Sequence, residues 1–64
     1  MDQYLIDALK AKYEAQMAEA NANIQVYLSN PAGIGEHPDL VAALDTQVEI
    51  YAQAKEKMEV LIEF

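Results

Sequence analysis

Apolar residues recur at steps of three or four along the first part of the chain, at Ile6, Leu9, Tyr13, Met17, Ala20, Ile24 and Tyr27. That spacing is the period of one face of an α-helix, and the alternation of a half-buried strand fails over the same window. The stretch holds no Gly or Pro and is rich in Ala, Leu, Met, Gln, Glu and Lys, all good helix formers. The reading is a helix over about 2–29, with Asp2 placed to complement the positive end of its dipole. Proline disfavours α geometry in the residue before it, so the helix should end at Ser29-Asn30-Pro31.

A loop over about 30–37 follows, containing Gly33-Ile34-Gly35, with two residues able to take positive φ. Pro38 has the character of a first-turn residue, Asp39 behind it suits the helix dipole, and His37 takes the N-cap position in this reading. The second helix, over about 38–63, carries two heptad seams. Val41, Leu44, Val48, Tyr51, Lys55, Met58 and Ile62 form one; Leu40, Leu44, Gln47, Tyr51, Ala54, Met58 and Leu61 form the other. Together they make an apolar face wider than a single partner helix covers. The first helix has spare surface too, with Ala8, Ala15 and Ala22 at intervals of seven beside Leu5 and Val26.

Folding the chain about Ile34 gives an antiparallel hairpin. Leu28 then meets Leu40, Tyr27 meets Val41, Ile24 meets Leu44, Ala20 meets Val48, Met17 meets Tyr51 and Ile6 meets Ile62. The expected fold is an all-α two-helix hairpin in one domain over residues 1–64, pairing with a second copy into a four-helix bundle. Size is the reason for the second step. A 64-residue chain buries only about 60% of its unfolded surface and is marginal alone. With no cysteine and a single histidine, disulfides and a structural zinc site are not on offer. Oligomerisation is the remaining remedy, and a homodimer is expected. The core and self-association residues are Leu9, Tyr13, Ile24, Tyr27, Leu40, Val41, Leu44, Val48, Tyr51, Met58, Leu61 and Ile62.

Charge narrows the partners. Eleven acids against four lysines, with no arginine, give a formal charge of −7. Nucleic-acid binding needs lysine and arginine to displace counterions, and anionic membranes need the same, so neither is expected as a partner. At 53% apolar residues the chain is not a disordered acidic tail. No segment approaches the roughly 18 unbroken apolar residues of a membrane span, and Met-Asp-Gln-Tyr lacks the features of a signal peptide; the expected compartment is the cytoplasm.

Candidate chemistry is sparse. Gly33 and Gly35 lack the strand and third glycine of a dinucleotide loop and the lysine of a P-loop; a turn explains them. Glu36, His37 and Asp39 put three potential ligands within four residues, but capping and dipole complementation account for them without a metal. Asp45, Glu49, Glu56, Glu59 and Glu63 read as a solvated outer face, or alternatively as a surface for a basic partner. Beside the tyrosines, the only hydroxyls are Ser29 and Thr46, neither near the histidine, so no nucleophile–base pair forms and the chain is not expected to be an enzyme. No cofactor is implied.

The run Tyr27-Leu28-Ser29-Asn30-Pro31-Ala32-Gly33-Ile34-Gly35-Glu36-His37-Pro38-Asp39 resembles a segment of short uncharacterised proteins of tailed bacteriophages, particularly marine cyanophages, in which an "NPxGIGEHPD" loop joins two helices. The resemblance implies a phage origin and a setting in the host cytoplasm or the virion. So elaborate a loop is also a candidate docking tip, with Ile34, Glu36 and His37 as partner contacts; the alternative is that Ile34 folds back over the bundle end against Leu28 and Leu40. The functional expectation is a structural or adaptor module working through protein–protein contact. The second expectation is an acidic inhibitor that mimics nucleic acid to occupy a host nucleic-acid-binding protein.

Overall fold

The computed structural model describes residues 3–29 and 39–64. They form two α-helices, α1 (Gln3–Ser29) and α2 (Leu40–Leu61), which pack against each other along their length; the described residues contain no strand. Propensity and apolar period both point to these helices, and their bounds fall close to the expected ones. The loop residues Ile34, Glu36 and His37, the candidate partner contacts, lie outside the described residues.

The start of α2 differs from expectation. The N-cap is Asp39, not His37: its backbone is extended, with φ −132° and ψ 86°, and its carboxylate accepts a hydrogen bond from the Ala42 N–H at 2.9 Å. The expected cap His37 and first-turn Pro38 lie outside the described residues. A short carboxylate at the N-cap satisfies an orphan N–H of the first turn, which favours Asp39 in that place. At the other end α2 stops at Leu61, short of residue 63. Glu63 N–H donates to the Val60 carbonyl and Phe64 N–H to the Leu61 carbonyl, a tightened final turn that satisfies otherwise orphaned acceptors.

The residues of α1 turned toward α2 are Ile6, Tyr13, Gln16, Met17, Ala20, Asn23, Ile24 and Tyr27, all buried or half-buried. From α2 come Ala43, Leu44, Gln47, Ala54, Met58 and Leu61. Of the two seams of α2, the one through Gln47, Ala54 and Leu61 meets α1. The register is offset from the fold about Ile34. That fold would set Asn23 opposite Asp45 and Tyr13 opposite Lys55. Instead Asn23 Nδ2 donates to Gln47 Oε1 at 3.1 Å, and the Lys57 ammonium lies 5.8 Å from the Tyr13 ring centroid. Both contacts place α2 two residues further along. At this register the two part-buried amides satisfy each other across the seam, which avoids the cost of an unpaired polar group there.

Among the described residues only Ala20 and Ala54 are fully buried, each 1% exposed. The core is thus one shallow seam, and the molecule is a rod of 48 × 15 × 14 Å. Its Cα radius of gyration is 14.7 Å, against about 11 Å for a compact chain of this length.

Candidate interaction surface

Two antiparallel helices in contact present two broad faces, and the composition of those faces differs. At about 100° per residue, Met17, Ile24 and Leu28 lie toward one flank of α1, and Leu44, Val48, Tyr51 and Ile62 toward one flank of α2. A cleft of about 390 Å³ at the end away from the loop joins these flanks, lined by Ile6 and Lys10 from α1 and Met58, Leu61, Ile62 and Phe64 from α2, with Gln3 at its edge. They therefore open onto the same face, an apolar strip bordered by charged residues. The opposite face carries Lys12, Gln16, Glu19 and Asn23 from α1 with Thr46, Gln53 and Lys57 from α2, interleaved with exposed Leu5, Val26, Ile50 and Val60. Its own groove is lined by Tyr13, Gln53, Glu56, Lys57, Val60, Leu61 and Phe64, a more charged set.

Of the expected core residues, the hairpin half-buries Tyr13, Ile24, Tyr27, Leu44, Met58 and Leu61, while Leu9, Leu40 and Tyr51 stay just over a third exposed. Val41 is 80%, Val48 47% and Ile62 83% exposed. Tyr27 and Ile6 therefore do not cover Val41 and Ile62, contrary to the pairing expected from folding about Ile34. The heptad through Val41, Val48, Lys55 and Ile62 points past α1, because one helix spans only one of two seams set side by side. Ala8, Ala15, Ala22, Leu5 and Val26 of α1 are exposed as well.

Several contributors escape the apolar pattern. Gln16 and Asn23 sit in the interhelical seam although polar, opposite Gln47 of the seam already read on α2; Gln16 and Asn23 lie seven apart beside Met17 and Ile24, which is the one signal that places them there. Lys57 stacks on Tyr13, and such a contact between helices is not visible in either helix alone. The two non-aromatic hydroxyls are engaged locally: Ser29 Oγ donates to the Gln25 carbonyl at 2.6 Å and Thr46 Oγ1 to the Ala42 carbonyl at 3.1 Å. Gln3 Nε2 donates to Asp7 Oδ1 and Gln53 Nε2 to Glu49 Oε1, amide–carboxylate bridges one turn apart that steady the outer surface.

Asp45, Glu49, Glu56 and Glu63 lie on the side of α2 away from α1, all exposed. Among the described residues no three His, Asp or Glu side chains converge as a metal site, and no helix is long and apolar enough to cross a membrane. No protein-family model, curated protein or solved structure matches this chain.

Proposed function

We propose that this chain is a non-enzymatic structural or adaptor module that works through protein–protein contact, and that its first partner is a second copy of itself, the two hairpins forming a four-helix bundle. One observation carries the reading. The chain exposes 4925 Å², whereas a compact protein of 7.1 kDa exposes about 4,100 Å². The excess, roughly 800 Å², is what one partner contributes to a standard protein–protein interface. It includes an apolar stripe along α2, where Val48 and Ile62, 47% and 83% exposed, line up with Leu44 and Tyr51. Monomers rarely leave so continuous an apolar stripe in water.

The non-enzymatic part rests on the side chains the sequence offers, whose two non-aromatic hydroxyls, Ser29 and Thr46, donate to carbonyls of their own helices. The loop's resemblance to tailed-phage hairpins adds a host cytoplasm or a virion as the setting. Mimicry of nucleic acid draws on the outward acids of α2, but Asp45 to Glu63 spans about 27 Å with four carboxylates on that line. A DNA strand carries about eight phosphates over the same length. The apolar face is the stronger feature.

Sedimentation equilibrium and thermal melts over a wide range of protein concentration test the proposal. The expected outcome is a dimer whose melting midpoint rises with concentration. A folded monomer at high concentration, with a fixed midpoint, overturns it.

A further inference from the structure

We propose that the two copies pack with their loop ends together, each α1 lying along α2 of the partner subunit, an arrangement selected by charged residues at the rim of the apolar face. The inference rests on the self-association reading and adds the geometry of the pair.

Two flanking pairs of charges carry it. Lys10 and Glu14 lie one turn apart on the flank of α1 that lines the end cleft. Lys55 and Glu59 lie one turn apart on the flank of α2 that carries Val48 and Ile62. Both pairs therefore border the same apolar face, one along each long edge. The Asn23–Gln47 and Tyr13–Lys57 contacts fix their levels: Lys10 is level with Val60, Glu14 with Glu56 and Leu28 with Ala42.

A second hairpin can cover this face about either of two twofold axes. With the axis along the helices, α1 crosses onto α2 of the partner subunit at the same level and the loops share an end. Lys10 then comes beside Glu59 of the partner subunit, and Glu14 beside Lys55 of the partner subunit. Exposed Leu28 comes beside Val41 of the partner subunit. Symmetry repeats each contact, so opposite charges meet along both edges. With the axis across the helices at mid-length, each helix meets its own counterpart and the loops lie at opposite ends. Lys10 then falls near Gln25 and Lys55 near Ile50, and none of the four charges finds its opposite. Apolar burial serves either arrangement; rim charges choose between them, as complementary potentials do at interfaces.

The chain has no cysteine, so Ser29→Cys gives a unique attachment point for a spin label beside the loop. In the dimer, the two labels are expected within about 25 Å if the loops share an end, and about 40 Å or more apart if they do not, the length of α1. Charge exchange is the second arm. Lys55→Glu removes two symmetry-related rim pairs and should raise the dimer dissociation constant about tenfold. Combining it with Glu14→Lys should return the constant to within about twofold of the original, with helicity by circular dichroism unchanged throughout. If the parent chain is a folded monomer, the self-association reading falls and this one with it. A dimer with labels about 40 Å apart, or a double variant no tighter than Lys55→Glu, overturns the loops-together arrangement and leaves self-association standing.

Discussion

At the scale of single residues, two polar side chains do work that their apolar neighbours cannot. Asp39 stops the chain from fraying at the start of α2 by accepting from Ala42 N–H. Asp39→Ala should lower stability by about 1 kcal/mol, and Asp39→Asn by much less, since asparagine caps nearly as well. Urea titration of the three proteins checks the order. The Asn23–Gln47 bond is a different kind of contact, a part-buried polar pair between helices. Asn23→Ala leaves the Gln47 amide facing the seam and should cost about 1 kcal/mol or more. Replacing both by leucine should recover that loss, because two matched apolar groups avoid the unsatisfied polar atom. A double variant as unstable as Asn23→Ala would show that the amides are held by something other than each other. The cap is where the sequence reading differs from the structure, and the amide pair is a contact that the reading did not contain. Cap position depends on which of several adjacent residues takes extended φ and ψ. The amide bond exists only once both helices share a register.

At the scale of elements, the hairpin depends on which side of α2 meets α1. Leu44 belongs to both seams and is half-buried, whereas Thr46 is exposed and bonds back to its own helix. Leu44→Ala should therefore destabilise by about 2 kcal/mol, the low end for a buried leucine because solvent still reaches it. Thr46→Ala should stay within about 0.5 kcal/mol. Equal losses would mean that α2 is rotated from the orientation described. The helices themselves were legible: steps of three and four, the absence of Gly and Pro across 3–29 and 40–61, and Pro31 as a stop. The face was legible only as a choice between two seams. Val41, Val48 and Ile62 satisfy a heptad as well as Leu40, Gln47 and Leu61 do, so periodicity alone cannot rank them.

At the scale of the whole molecule, a rod whose described residues include just two fully buried alanines has little to hold it together as a monomer. Fully burying a large aliphatic side chain contributes about 1.5–3 kcal/mol, and the described residues include no large side chain buried to that degree. Net charge works against association: each copy carries −7. Raising the salt from about 0.01 M to about 0.15 M shortens the screening length from about 30 Å to about 8 Å. The long-range repulsion between copies should weaken more than the short rim contacts do. The expected result is a higher melting midpoint and a larger dimer fraction at the higher salt. A fall in both would mean that attraction between rim charges outweighs the net repulsion.

The sequence by itself determined the class of fold, the two helices and the surplus of apolar surface, because helix period, propensity and chain breakers act over a few neighbouring residues. Tertiary structure decided the rest. It set the register at which Asn23 pairs with Gln47, chose the Gln47–Ala54–Leu61 seam for α1, and left the Val41–Val48–Ile62 seam open to solvent. Each of those outcomes is a competition between alternatives of similar local energy, and only contacts between residues far apart in the chain separate them.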